Sequence, residues 1–384
     1  MDYSEIVQIY EELDATQSNL EKTSIIAGFF QENEENIEEI VLLAMGRAFP
    51  YWKDLDLGIS SKTMVEIIVE ATGRSKDEVT EVWRDEGDLG FAAEKMVEKK
   101  TQQRLMSKDL TVERVVEKLE KVARMEEGMG SVSMDKKKKE VASLISDAEP
   151  LEARYIARTF LENLRLGVGE GTIRDALAEA FFEGEHKEDI QRAYDLTNDF
   201  QEVALACVEG IETINSLEIE VFRPIKSMLA KKVNSIEEGF EEVGRPAAID
   251  WKYDGVRAQI HGKDGEVRVF TRRLENVTEQ FPDVVKAVKE NIEADEFILD
   301  TEIVGYDPED GSAIPFQQLS RRVKRKYDIE EMRQKIPVEV RPFDLLFLDE
   351  GLIDETYSDR YEKLEKIVDE DDKEIRMADH AVTD

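Results

Sequence analysis

Cysteine is nearly absent: Cys207 stands alone in 384 residues, which excludes an internal disulfide framework and fits a reducing compartment. Histidine is scarce too. His186, His261 and His380 share no metal-ligand spacing, so a structural zinc site is excluded. Nowhere does the chain hold the run of about 18 apolar residues that a bilayer span requires. Its acidic start, Met1-Asp2-Tyr3-Ser4-Glu5, lacks the basic flank of a secretory signal, so a cytoplasmic protein without a membrane is expected. Positive charge is also in deficit: 52 Lys and Arg stand against 88 Asp and Glu, for a formal net charge of -36.

Such a charge repels phosphate and opposes compaction. It suits either an acidic interaction module or a protein working at high salt, where at about 1 M the Debye length shrinks to about 3 Å and local contacts decide. Local cationic groups survive the background: Lys99, Lys100 and Arg104; Lys136 to Lys139; Arg272 and Arg273; and Arg321, Arg322, Lys324, Arg325 and Lys326. Each alone reads as a solvated face.

At this length two domains are expected, with a boundary near residue 216. Residues 1–215 read as helices. Val112, Val115, Val116, Leu119 and Val122 recur at helical spacing, and Pro150 suits a first helical turn leading to Leu151, Tyr155 and Phe160. Two glycine-bearing loops, 87–90 and 167–172, precede new helical patterns. Their backbone N–H groups could meet an anion such as a DNA phosphate, or could be ordinary turns between helices. Residues 216–384 change texture. Strands are expected at 248–251, 257–261, 266–271, 297–306 and 338–348, with a turn over 262–265 and a helix over 360–368 that places Tyr361, Leu364 and Val368 on one side.

No phosphate-binding loop is present. Gly239 and Gly244 have the right separation but lead into Arg245 and Pro246, and no GxGxxG occurs. The informative stretch is Asp250-Trp251-Lys252-Tyr253-Asp254-Gly255-Val256-Arg257. A lysine amine attacks phosphorus only when deprotonated, and a neighbouring cation such as Arg257 together with desolvation would favour that state. The Asp254-Gly255 turn would fold the chain back so that Lys252 and Arg257 meet one phosphate. The alternative is a strand end with a surface lysine and an ordinary Asp-Gly turn.

An ordered set follows: Thr-Arg-Arg-Leu-Glu-Asn-Val-Thr (271–278), Asp-Thr-Glu-Ile-Val (300–304) and Arg-Pro-Phe-Asp-Leu-Leu (341–346). With Lys-Tyr-Asp-Gly-Val-Arg (252–257), and with upstream segments at 87–90, 147–155 and 223–230, the chain resembles the covalent lysine nucleotidyltransferases, specifically archaeal ATP-dependent DNA ligases. The resemblance covers essentially the whole chain. It implies an all-α DNA-binding domain (1–215) and an incomplete α+β, ATP-grasp-like nucleotidyltransferase domain (216–384). It further implies that Lys252 carries AMP, that Asp250 contacts adenine, that Arg257 contacts the nucleotide and that Arg272 meets phosphate or ribose. Glu302 would bind ribose or Mg²⁺, and Phe343 would stack on adenine. Asp250, Thr271 and Thr301 stand where such ligases usually carry Glu, Ser and Gly.

ATP and Mg²⁺ are the implied cofactors. Nicked double-stranded DNA and a sliding clamp are the implied partners of a monomer acting in replication, repair and recombination. Such relatives continue with a Glu-Gly-Leu-Met-x-Lys motif, a Lys-x-Lys motif and an OB-fold domain, none of which follows Asp384, so the resemblance implies poor sealing by this chain alone. An RNA ligase or capping-type nucleotidyltransferase, and a non-catalytic DNA-binding fragment, remain as alternative readings.

Overall fold

In a computed structural model the described residues are 1–53, 55–100, 110–125, 130–324, 328–370 and 374–384, with side chains of 130–133 set aside. Arg104, Arg325 and Lys326, named above within cationic groups, lie outside them. The chain forms two compact units. One comprises Met1–Tyr194 with Asp199–Leu217, the other Asp195–Asn198 with Glu218–Asp384.

The first unit is built of helices whose starts are written in their caps. Ser18, Ser60, Ser75 and Thr111 each accept a hydrogen bond from a first-turn N–H, and Gly73 and Gly87 end helices in the left-handed conformation that glycine adopts freely. The expected stripe lies on the helix Val112–Arg124, burying Val112, Val115, Leu119 and Val122, while Val116 is half-buried against the same core. Pro150 opens the helix Pro150–Phe160 as expected. Between the two runs a further helix, Gly130–Asp147, which carries Lys136 to Lys139. Lys137 is buried there and donates to the Leu57 carbonyl, so it is no part of a solvated face.

In the second unit the strands are β1 (Ala247–Asp250), β2 (Val256–Lys263), β3 (Glu266–Thr271), β4 (Phe297–Gly305), β5 (Val338–Leu348), β6 (Glu350–Gly351) and β7 (His380–Thr383). Five of them form one antiparallel sheet in the order β3-β2-β4-β5-β6, and β1 pairs with β7 separately. The β2–β3 turn is tighter than the expected 262–265. It comprises Asp264 and Gly265, both at positive φ, as a two-residue hairpin with right-handed twist demands. Gly262 instead belongs to β2 and lies under the Phe297 ring, where a Cβ would come within 2.3 Å of ring carbons. The helix near the chain end runs Tyr357–Ile367; Tyr361, Leu364 and Val368 are buried as expected, with Val368 at the C-cap, and Ile367 is buried beside them.

A core of Val256, Ile260, Val269, Leu299, Ile303, Val340 and Leu345 joins this sheet to the helices Pro282–Asn291 and Tyr357–Ile367. Among the described residues no helix is long and apolar enough to cross a membrane.

Candidate active site

The end of the sheet where β2 begins gathers most of the chemistry. Antiparallel register sets Arg257 opposite Glu302 and Gln259 opposite Asp300, and β5 sets Arg341 opposite Glu302 and Asp344 opposite Asp300. Between Pro342 and Asp344 the register slips, leaving Phe343 as the extra residue of a β-bulge. Bulges re-aim a side chain out of the pleat. Phe343 is half-buried, and its ring lies 5.4 Å from the Arg257 guanidinium carbon.

Arg257 grips Asp300 with two hydrogen bonds, Nε to Oδ1 at 3.0 Å and Nη2 to Oδ2 at 2.5 Å. Asp300 is buried, whereas the arginine side chain keeps 35% exposure, so one face of the guanidinium is free to meet a ligand. Burial raises the Asp300 carboxyl above the ordinary range, against the pull of Arg257. Glu302 is pushed up to about 7, chiefly by burial, with the Gly255 N–H (3.1 Å to Oε1) and the charges of Lys252 and Arg257 opposing.

Lys252 sits on the loop between β1 and β2, exposed to solvent. Asp379 holds that loop: its carbonyl accepts from Trp251 N–H at 3.2 Å, and its carboxylate accepts from the Tyr253 hydroxyl at 2.7 Å. The Arg341 guanidinium packs 5.3 Å from the Tyr253 ring. Gly255 is required for a reason other than a reversing turn. Its φ is not left-handed, but a Cβ there would lie 2.4 Å from the Ile303 carbonyl and 2.9 Å from Glu302 Cγ, so only glycine lets the loop close onto β4. The sequence-based account of the lysine therefore changes. Its side chain is not desolvated, and the cation meant to act on it, Arg257, is already balanced by Asp300.

Arg272 is exposed, one residue beyond the Thr271–Ala258 pair and thus at the same end of the sheet, and among the described residues it makes no ion pair. Thr271 is buried; its hydroxyl accepts from Arg273 N–H and its carbonyl from Leu274 N–H, shaping the turn that presents Arg272. Thr301 raises no obstacle, since its side chain is fully buried and its hydroxyl donates to the Ala258 carbonyl at 2.9 Å. Asp250, at the end of β1 opposite His380, has its carboxyl raised by partial burial, with His380 opposing and Asp344 reinforcing.

Two residues lay inside the quoted motifs without an assigned role. Asp300 orients Arg257, and Asp344 is held by Arg360 from the helix Tyr357–Ile367, with both contacts at 2.8 Å. Both roles depend on strand register and on partners 43 and 16 residues away, which no local pattern in the sequence marks. Among the described residues no three His, Cys, Asp or Glu side chains converge as a metal-ligand set. Glu302 can offer one carboxylate oxygen, which fits a cation such as Mg²⁺ that keeps its waters and takes its other ligands from phosphates.

The two glycine-bearing loops of the helical unit differ. Asp88 caps the helix Leu89–Glu98 by accepting from Gly90 N–H at 2.6 Å, and its carboxylate pairs with buried Arg158 and with Arg165. At 87–90, of the two readings, an ordinary turn between helices fits, with the Gly90 N–H taken by the loop's own carboxylate. At the other, Gly169 caps the helix Glu170–Phe182 without a side-chain bond, and buried Lys22 braces the loop through the Leu166 carbonyl at 2.6 Å. In the cationic run that begins at Arg321, Arg321 and Lys324 are exposed as expected, but Arg322 is not. Arg322 is fully buried, paired with Asp283 and donating to the carbonyls of Gln280 and Ile336, so it holds the fold instead of facing solvent.

Comparison with known proteins bears on both units. A family described as "ATP dependent DNA ligase domain" matches residues 227–384, and one described as "DNA ligase N terminus" matches residues 2–178. A DNA ligase of Nanoarchaeum equitans is 42% identical over 380 residues, covering 98% of this chain and 66% of that protein. One from Methanopyrus kandleri is 42% identical over 388 residues, covering 100% and 68%. This chain thus spans about two thirds of the length of such curated relatives. A solved structure titled "Pmar-Lig_Pre." shares its fold, with a TM-score of 0.53 at 16% identity over 98% of this chain and 66% of that one.

Proposed function

The chain belongs to the ATP-dependent DNA ligase family, and we propose that it takes part in sealing nicks in duplex DNA through AMP carried on Lys252. The observation that supports this best is the convergence of Arg257, Glu302 and the bulged Phe343 at one end of the sheet, beside the loop bearing Lys252. In the first step Lys252 Nζ, deprotonated, attacks the α-phosphorus of ATP; a P–N bond forms, the bond to the β-phosphate oxygen breaks, and pyrophosphate leaves. In the second, an oxygen of the 5′-phosphate at a nick attacks the same phosphorus and the amine departs, regaining its proton. In the third, the adjacent 3′-hydroxyl attacks the 5′-phosphate, AMP leaves, and the phosphodiester closes.

Each side chain has a part that its chemistry suits. The exposed face of the Arg257 guanidinium faces negative charge on phosphate, Phe343 offers a ring to the adenine, Asp250 accepts from the base, and Arg272 meets phosphate or ribose. Glu302 supplies a carboxylate for a ribose hydroxyl or for Mg²⁺, which when bound offsets triphosphate charge. Nicked double-stranded DNA is the proposed nucleic-acid partner and the cytoplasm the proposed compartment. We further propose a monomer that can meet a sliding clamp.

Labelled ATP and GTP offered separately to the purified chain test this reading. A covalent label from ATP, none from GTP, its absence in Lys252→Ala and its release by nicked duplex are expected. Binding of nicked duplex with no Lys252 adduct would leave only a DNA-docking protein. A label from GTP would point to a capping-type transferase.

A further inference from the structure

Phe343 projects from a bulge, and an irregular backbone needs anchors that a regular ladder would otherwise provide. Those anchors come from the C-terminal part of the unit. The Pro342 carbonyl accepts from Ala378 N–H at 2.9 Å, and the Phe343 carbonyl accepts from the Tyr357 hydroxyl at 3.3 Å. Asp344, immediately after the bulge, accepts from its neighbour Leu345 N–H at 2.8 Å and from Arg360 through both Nε and Nη2. Arg360 in turn donates Nη1 to the Glu355 carbonyl at 2.7 Å, which ties the guanidinium to the loop leading into the helix Tyr357–Ile367. Both members of the Arg360–Asp344 pair are mostly covered, with 15% and 17% of their side chains exposed.

This lattice is more than a fastening of helix to sheet. Asp344 faces Asp300 across the β4–β5 register, and Asp300 holds Arg257, so two neighbouring carboxylates are flanked by one guanidinium on each side, Arg257 on Asp300 and Arg360 on Asp344. Removing the outer guanidinium would leave Asp344 facing Asp300 without compensation and free the bulge to relax. A planar, forked guanidinium fits a carboxylate with two parallel bonds, which the single ammonium of lysine cannot reproduce.

We propose that Arg360, assisted by Tyr357, is a positioning residue for nucleotide recognition: it sets the Phe343 ring at the angle and depth at which it stacks on the base. Arg360 itself touches no part of the nucleotide. The inference rests on the ligase reading above, in which Phe343 meets adenine.

The test measures ATP binding at equilibrium and the KM and maximal rate of Lys252 adenylation in the unmodified chain, Arg360→Met, Arg360→Lys, Tyr357→Phe, Phe343→Ala and the Arg360→Met/Phe343→Ala double variant. Arg360→Met is expected to weaken ATP binding and raise KM by about tenfold while the maximal rate at saturating ATP stays within about twofold. Arg360→Lys should recover little, Tyr357→Phe should show a smaller effect in the same direction, and the double variant should bind ATP no worse than Phe343→Ala, because both changes remove one stacking interaction. Should the two losses multiply, or should Phe343→Ala raise KM while Arg360→Met leaves it unchanged, Arg360 is only a structural clip and the inference fails alone. If the unmodified chain neither binds ATP nor forms the adduct, both readings fall together.

Discussion

Two arginine–aspartate pairs, one in each unit, use the same groups to opposite ends. Arg158 and Asp88 in the helical unit are both closed off, with 5% and 6% of their side chains exposed, and the carboxylate also caps a helix through Gly90 N–H. Arg257 and Asp300 in the sheet unit are asymmetric: the carboxylate is covered at 6%, but the guanidinium keeps 35% of its surface. Gly90 shows how tight the first arrangement is, since a Cβ there would lie 2.8 Å from the Arg154 carbonyl and 2.9 Å from Arg158 Cγ. A pair covered this closely serves the fold, whereas a half-open pair holds the fold and keeps a charged face for a ligand. Apolar surface follows the same division. Met228, Leu229, Ile236, Val243, Ile249, Trp251, Phe316 and Val382 are exposed in the sheet unit, against Leu20, Tyr51, Leu205 and Val208 in the larger helical one.

The largest effect that can break this comparison is expected at Asp88→Ala. It strands buried Arg158 and removes a helix cap, so a loss of about 3–5 kcal/mol is expected, read as a lower midpoint in denaturant melts, with ATP-dependent labelling of Lys252 kept below the new melting range. If stability barely moves, the pair is no structural clip. Next comes Arg257→Met. Adenylation should drop by about 10²–10³, the size associated with one lost donor to a charged phosphate or oxyanion, while the melt shifts less than for Asp88→Ala because Asp300 can recruit water from the open side. A melt shift as large as that of Asp88→Ala, with labelling intact, would erase the distinction between the pairs.

The smallest effect concerns pH. Burial raises the Glu302 carboxyl from its ordinary value to about 7 in the folded chain. Between about pH 4.5 and 7 the folded state therefore holds a proton that the unfolded state has released, and stability is lost as pH rises through that window. Glu302→Gln, which never ionises, should remove this slope and be more stable than the parent above pH 7 by about 2 kcal/mol, a figure reduced for partial solvent access. Melts at pH 5 and 8 decide it, and parallel slopes in both proteins would refute it. Cation or ribose binding by the ionised carboxylate should strengthen over the same pH range.

Legibility in the sequence followed locality. The strands over 257–261, 266–271, 297–306 and 338–348 emerge close to their expected bounds because alternation and turn residues act over a few positions. The helices Pro282–Asn291, Phe316–Val323 and Ile329–Lys335 and the strand β7 were not anticipated, because short amphipathic runs carry little periodic signal. The order of motifs pointed to Lys252, Arg257, Glu302 and Phe343, yet nothing in it marked Phe343 as a bulge residue or Arg360 as the partner of Asp344.

From its residues alone the chain determined where helices are capped, where strands begin and which motif lysine precedes an Asp-Gly pair, since each depends on neighbours a few positions away. Only the tertiary structure decided which arginines are spent and which stay open. Arg158 finds Asp88 70 residues away, Arg322 finds Asp283 at 39 and Arg257 finds Asp300 at 43. Whether such a pair is sealed or half-exposed depends on how distant segments pack around it, and burial sets whether a charge can reach a ligand.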